Sequence, residues 1–125
     1  MRCVVQRVRE ALFEDDTNDQ VTWMAERTTS LRVFDDPDGK MNLALADIDG
    51  SLLVVPNFTV AASCSKGRRP SFDLAMPPAR AREVFPVFVR ALRDRAARVE
   101  QGLFGADMKV SLVNDGPVTL VVQSP

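Results

Sequence analysis

The chain of 125 residues is long enough for one domain only, and we assign residues 1–125 to it. Its 16 Lys and Arg residues nearly balance 17 Asp and Glu residues, so the net charge of -1 excludes a global attraction to nucleic acid and leaves only local basic surface. Because the chain has no histidine and no tyrosine, Ser-His-Asp catalysis, Cys-His catalysis and His-ligated zinc are excluded.

The first part of the chain carries strand, helix and strand patterns in that order. Residues 2–8 form the pattern of an opening strand. Thr17 and Gln20 have the spacing of a capping box, and apolar residues recur behind them at helical spacing, so we predict a helix over residues 18–31. The short apolar run at residues 31–34 predicts a second strand.

An Asp-rich turn and an apolar strand pattern follow. Residues 35–39 carry turn-forming residues almost without interruption, but they lack the ligand spacing and the terminal Glu of a calcium loop. We therefore predict no metal site there. Residues 51–55 form an unbroken apolar run, which is typical of a buried central strand. Residues 56–60 follow at the end of this strand, a position where binding groups are often found.

One basic cluster lies in the loop between residues 61 and 78. It consists of Lys66, Arg68 and Arg69, with a glycine and a proline that hold the charges in a defined loop. Two interpretations are open: a solvated surface, or a patch that contacts phosphate groups.

The last part of the chain combines a helix with two strand patterns. Pro77-Pro78 are predicted to open a helix that runs to about residue 97, and Pro86 inside it predicts a kink or a late start. Strands are predicted at residues 108–113 and 118–123. Residues 114–117 between them, Asn-Asp-Gly-Pro, are either a hairpin turn or a functional loop with a cis peptide bond before Pro117.

The order strand, helix, strands, helix, strands predicts an α+β domain with a mostly antiparallel or mixed sheet. Cys3 and Cys64 lack CxxC spacing, and no signal peptide precedes them, so we expect reduced thiols in a cytoplasmic protein. No apolar run approaches the roughly 18 residues that span a bilayer, and we expect no membrane partner.

Six stretches of the sequence together resemble one family, the D-aminoacyl-tRNA deacylases, also called D-tyrosyl-tRNA deacylases. The likeness runs from end to end in the same order. The stretches are residues 1–8, 31–34, 39–43, 66–72, 104–108 and 113–119. The resemblance implies a compact β-barrel-like α+β fold with two helices, a homodimer, no cofactor, and tRNA rather than DNA as the partner.

The activity that the resemblance implies is hydrolysis of the ester between a D-amino acid, or glycine, and the 3′ end of tRNA. In the family the Gly-Pro pair, here Gly116-Pro117, has a cis peptide bond and enters the active site of the partner subunit. Its carbonyl groups leave no room for an L side chain, so that chirality is checked by exclusion. Arg7 matches the arginine that supports this pair.

The remaining site residues also follow from the resemblance. Thr59 matches the threonine of the family's Ser-Gln-x-Thr motif, and without a nearby base we expect it to position the substrate rather than attack it. Backbone N–H groups near Phe58 and Thr59 would stabilise the developing oxyanion. The other implied roles are catalytic for Asn57, substrate-binding for Phe104 and Met108, and tRNA-binding for Lys66, Arg68 and Arg69.

Two departures from the family pattern are visible. Pro56-Asn57 stand where the family usually has Ser-Gln, and about twenty residues are missing between Ala11 and Leu12, enough for two strands and their turn. The expected fold therefore lacks one N-terminal hairpin. Three hypotheses remain open: an active deacylase, a tRNA-binding relative that has lost catalysis, and a structural dimer module.

Overall fold

The computed structural model describes residues 7–9, 12, 14–96 and 98–125. Two α-helices, six strands and two 3₁₀-helices occur in this part of the chain. In chain order the regular elements are β1 (Arg7–Arg9), α1 (Asn18–Ser30), β2 (Phe34–Asp35), β3 (Met41–Leu43), the 3₁₀-helix Leu45–Ile48, β4 (Ser51–Val54), the 3₁₀-helix Phe58–Ala61, α2 (Pro78–Arg93), β5 (Arg98–Gln101) and β6 (Thr119–Val121).

Helix α1 begins where the capping box predicts. The Gln20 N–H donates to Thr17 Oγ1 at 3.3 Å, and the Thr17 N–H donates to Gln20 Oε1 at 2.9 Å. These bonds satisfy N–H groups that have no partner inside the helix. The helix ends at Ser30, one residue before the predicted end, and buries Val21, Met24 and Ala25.

Helix α2 runs without interruption through a proline. It begins at Pro78, where the missing N–H is harmless because the first helical positions lack acceptors. Of the two outcomes predicted for Pro86, the late start is wrong, since Pro86 lies inside the helix, and the kink stays a prediction. Its side chain is exposed, and the loss of one backbone bond is offset by the apolar face that α2 buries. The helix ends at Arg93 rather than near residue 97.

The core forms where α1 packs on α2. It contains only apolar side chains, and among the described residues no polar or charged residue is buried. Leu52 and Val54 of β4 are half-buried against this cluster. The core therefore fixes one face of β4 relative to both helices. Its buried members are Val21, Met24, Ala25, Phe85, Phe88, Val89, Leu92 and Val99.

The strands of the described part form three separate pairs. β1 pairs with β6 in parallel, β4 pairs with β5 in parallel, and β2 pairs with β3 antiparallel. The predicted α+β class with mixed strand directions is confirmed. The expected hairpin around residues 114–117 is wrong, because β6 pairs with β1 and residues 108–113 form no strand.

Several strand predictions need correction. Residues 51–55 do not form a buried central strand: Leu53 is 57% exposed, and among the described residues β4 pairs with β5 alone. Of residues 31–34, only Phe34 is in a strand. β5 was missed because Arg98–Gln101 contains a single apolar residue, so that its extended form depends on pairing with β4. The opening strand is described only at Arg7–Arg9, since residues 1–6 lie outside the described residues.

The described residues of the connection between β1 and α1 are hydrogen-bonded to the segment that precedes α2 and to the first turn of α2. The Met76 N–H donates to the Leu12 carbonyl at 2.9 Å, and the Glu14 N–H donates to the Leu74 carbonyl at 3.2 Å. The Arg80 guanidinium donates to the carbonyls of Glu14, at 2.8 Å, and Asp16, at 3.0 Å. This crossing is where the missing hairpin was expected. No described helix has the length and apolarity needed to cross a membrane.

The capping box gives a test of the fold. Replacing Thr17 by Ala removes the acceptor for the Gln20 N–H, and we expect the free energy of unfolding to fall by about 1 kcal/mol. Urea denaturation measures this change. Thr17→Ser keeps the hydroxyl and should unfold like the wild type, whereas equal losses in both variants would contradict the capping role.

Candidate functional site

The predicted catalytic residues lie where the parallel strands β4 and β5 end together. The Gly102 N–H donates to the Val54 carbonyl at 2.8 Å, so the pairing continues to this edge. β4 is followed by a short extended stretch and by the 3₁₀-helix Phe58–Ala61, with Asn57 as its N-cap. Asn57, Phe58 and Thr59 are all exposed at this strand end.

Asn57 organises the start of the 3₁₀-helix through its side-chain oxygen. Asn57 Oδ1 accepts from the Thr59 N–H at 3.2 Å and from the Thr59 hydroxyl at 2.6 Å. An amide oxygen is not a base, so the Thr59 hydroxyl keeps its proton. Because that proton is donated to Asn57, the Thr59 oxygen can act towards a substrate only as a hydrogen-bond acceptor. This geometry favours positioning by Thr59 over nucleophilic attack.

The same bonds decide which backbone donor is available for an oxyanion. The Thr59 N–H already donates to Asn57. Phe58 occupies the first position of the 3₁₀-helix, where an N–H has no intrahelical acceptor. Of the two N–H groups named from the sequence, the one on Phe58 is therefore the better placed to stabilise negative charge.

An aromatic pair connects this strand end to the basic loop. The Phe58 ring meets the Phe72 ring edge to face, with centroids 5.1 Å apart and an interplanar angle of 61°. Ser63 and Ser71 close the loop between them through two backbone bonds of 2.8 and 2.9 Å. The loop is thus fixed beside the helix that carries Thr59.

The three cations of the basic loop are free for a partner. Lys66, Arg68 and Arg69 are exposed, and none has an ion pair or hydrogen bond within the described chain. Gly67 between them has φ of +70°, a left-handed conformation that glycine adopts without strain. The loop therefore presents positive charge with which no carboxylate of the described residues pairs.

Met108 joins the strand end, and Phe104 lies beside α2. A Cβ atom on Gly102 would come within 2.9 Å of Met108 Sδ and 3.4 Å of Pro56 Cδ, so Met108 covers Gly102 next to Pro56. The Phe104 ring is 6.1 Å from the Phe85 ring, and the Arg82 guanidinium lies 5.0 Å from its centroid.

The turn that contains Gly116 and Pro117 forms a second exposed region. The peptide bond between them is cis, as the resemblance implied. Asn114 closes the turn, because its Oδ1 accepts from the Val118 N–H at 3.3 Å and its Nδ2 donates to Thr119 Oγ1 at 3.4 Å. Within the described chain no hydrogen bond links this turn to the Asn57–Thr59 strand end.

The register of β1 and β6 brings Arg7 towards this turn. Arg7 pairs with Thr119, two residues after Pro117. The structure describes Arg7 by its backbone, so its supporting role stays a prediction.

Two neighbours of the site were not identified from the sequence. Phe72 lies in the matched stretch 66–72, which could have drawn attention to it, whereas no pattern singles out Arg82. In the described part of the chain no three His, Cys, Asp or Glu side chains are grouped to hold a metal ion.

Fold and site together define a small α+β domain with a hydroxyl-bearing strand end, an adjacent unpaired basic loop and a cis-proline turn. The model of the D-Tyr-tRNA(Tyr) deacylase family matches residues 8–123. The chain belongs to this family.

Individual relatives agree with the family match. The chain is 46% identical to the D-aminoacyl-tRNA deacylase of Chlorobaculum tepidum, over 100% of this chain and 98% of the relative. It is 44% identical to that of Geotalea uraniireducens, over 100% of this chain and 94% of the relative. A solved structure named c-Myc DNA Unwinding Element Binding Protein superimposes with a TM-score of 0.86 at 35% identity, covering 93% of this chain and 79% of that chain.

The alignment with the Chlorobaculum tepidum protein is longer than this chain. It extends over 147 positions, whereas the chain has 125 residues, so about 22 positions of the relative have no counterpart here. A missing segment of one hairpin has this size. Its location between Ala11 and Leu12 stays a prediction.

The proline turn gives a second test. Gly116 has φ of +133°, and a Cβ atom there would lie 2.9 Å from Val118 Cγ2 and 3.0 Å from the Val118 nitrogen. We expect Gly116→Ala to lower the free energy of unfolding by about 1–3 kcal/mol. Gly67→Ala is the control, since that position has positive φ and open space around it. Equal costs, measured by urea denaturation, would show that the contact with Val118 is unimportant.

Proposed function

We propose that this protein hydrolyses the ester bond between a D-amino acid and the 3′ end of tRNA. The observation that carries the proposal is membership of the deacylase family over residues 8–123, in a chain that keeps Thr59 and the Gly116-Pro117 turn. An enzyme of this class is a hydrolase of carboxylic esters. The relatives named above are D-aminoacyl-tRNA deacylases.

The chemistry requires little from side chains, because an aminoacyl ester is already activated. Water adds to the ester carbonyl and loses a proton, the bond to the ribose 3′ oxygen breaks, and that oxygen takes up the proton lost by the water to become a free hydroxyl. The adjacent ribose 2′-hydroxyl can relay this proton. The Phe58 N–H stabilises the oxyanion, and the Thr59 oxygen, oriented by Asn57, accepts a hydrogen bond from the substrate.

Selection against L-amino acids follows from the exposed turn. In a homodimer Gly116 and Pro117 of one protomer reach the strand end of the other, where their carbonyl groups exclude an L side chain. Exposed apolar side chains support burial against a second copy of the chain, with Val113 82% and Val121 71% exposed. Glycine, which has no side chain to exclude, is also accepted. We place the enzyme in the cytoplasm, with its tRNA substrate.

The decisive experiment compares D-tyrosyl-tRNA with L-tyrosyl-tRNA as substrates. We expect release of D-tyrosine at micromolar enzyme and no release of L-tyrosine beyond the spontaneous rate. Salt-dependent tRNA binding without turnover would instead support the tRNA-binding hypothesis, which Pro56 favours because it lacks a backbone donor. If the protein neither binds nor hydrolyses aminoacyl-tRNA, the structural dimer module is the hypothesis that remains.

Asn57 gives a prediction about catalysis. Asn57→Ala removes the acceptor of both Thr59 bonds, so the Thr59 hydroxyl loses its orientation. We expect kcat for D-tyrosyl-tRNA to fall about 10–100-fold, the effect of losing 1–3 kcal/mol of fixed geometry. Asn42→Ala is the control, since Asn42 lies in β3 and bonds to Asp36 and Arg32. Similar losses in both variants would contradict the role of Asn57.

The basic loop gives a prediction about binding. Replacing Lys66, Arg68 and Arg69 together by Gln should weaken tRNA binding and reduce the slope of log K against log salt by about 2–3, because three phosphate contacts are lost. The control is a matched triple variant in which Lys40, Arg90 and Arg93, which are also exposed, are replaced by Gln. If both triple variants changed the slope equally, the loop would act only through net charge.

A further inference from the structure

One cation near the strand end has no role in the function described so far. Arg82 is an exposed residue on the first part of α2, and within the described chain it has neither an ion pair nor a hydrogen bond. Its guanidinium group instead lies 5.0 Å from the centroid of the Phe104 ring, as in a cation–π contact. Phe104 is in turn supported by Phe85 of the core.

This support fixes the guanidinium without using its hydrogen-bonding capacity. Stacking on a ring limits the conformational freedom of a long side chain, while the N–H donors at the edge of the guanidinium stay available. Gly105, the residue after Phe104, has no side chain to cover the Arg82 guanidinium. A Cβ atom at Gly105 would lie 3.6 Å from Arg82 Nη2. The result is an oriented, uncompensated cation.

The position of Arg82 relates it to the candidate site. Phe104 begins the stretch that leads to Met108, and Met108 lies over Gly102 beside Pro56. Pro56 precedes Asn57 and Thr59 directly in the chain. Arg82 is thus connected to the strand end through Phe104 and the stretch that leads to Met108, whereas the basic loop is connected to it through Phe72 and Phe58.

We propose that Arg82 is a phosphate-binding residue for the RNA strand whose 3′ end enters the site, and that Phe104 orients it for this contact. The proposal rests on the proposed function, because that function supplies RNA as the ligand. A bidentate contact from a planar guanidinium to a phosphate is the interaction that this geometry favours. The contact is to the backbone and carries no sequence preference.

Three variants separate this role from simple coverage of the Phe104 ring. Arg82→Met keeps an extended apolar chain over the ring and removes the charge. Arg82→Lys keeps the charge and removes the planar fork. Arg93→Met removes one exposed charge from the same helix, about 16 Å further along its axis at about 1.5 Å per residue.

The experiment measures binding of uncharged tRNA to the full chain as a function of salt, together with the steady-state kinetics of D-tyrosyl-tRNA. For Arg82→Met we expect binding about 3–6-fold weaker at physiological salt, a slope of log K against log salt reduced by about 0.7–0.9, and a higher KM with unchanged kcat. Arg82→Lys should keep the slope, and Arg93→Met should match the wild type in all three quantities.

Two results overturn the proposal in distinguishable ways. If wild-type protein binds tRNA and Arg82→Met has the same slope and KM as Arg93→Met, Arg82 only covers Phe104 and the proposed function is untouched. If the wild-type protein neither binds tRNA nor hydrolyses D-tyrosyl-tRNA, the proposed function fails, and the RNA ligand assigned to Arg82 fails with it.

Discussion

The apolar packing between α1 and α2 is the interaction on which the positions of the other elements depend. It buries Phe88, Val89 and Leu92 almost completely and extends to Val99 of β5. Because Val99 is buried there and β5 pairs with β4, the edge at which both strands end is placed by the core. Burial of apolar area at about 25 cal/mol per Å² supplies the stabilisation, while the polar groups of the site stay at the surface. Substitutions of the site residues therefore leave the core and the strands β4 and β5, which position the site, undisturbed.

The connection from β1 to α1 is held to the rest of the chain by hydrogen bonds to its carbonyl groups. A lost hairpin would expose backbone donors and acceptors at a sheet edge. Here the carbonyls of Leu12, Glu14 and Asp16 all accept hydrogen bonds, from the Met76 N–H or from the Arg80 guanidinium. The same segment before α2 begins near Phe72, so the crossing and the candidate site are attached to one stretch of chain.

Sequence patterns predicted the elements that depend on local signals and missed those that depend on partners. The capping box at Thr17 located α1, and the helical pattern that ends near residue 97 located α2. β5 was missed because only its pairing with β4 makes it extended. For the site, Thr59 and Gly116-Pro117 were found by resemblance, whereas the bond from Thr59 to Asn57 and the contact of Arg82 with Phe104 depend on coordinates that no spacing encodes.

Pro56 and Asn57 together determine which polar groups the end of β4 offers. Asparagine is short enough to turn back onto its own helix start, and its oxygen takes both the N–H and the hydroxyl proton of Thr59. Pro56 contributes no N–H and the Thr59 N–H is already bonded, whereas the N–H on Phe58 stays available. Among the described residues, this strand end offers the Thr59 oxygen as an oriented acceptor and the Phe58 N–H as a backbone donor, and neither group is a general base. Such a set is sufficient only for a substrate that is already activated, and an aminoacyl ester meets that condition.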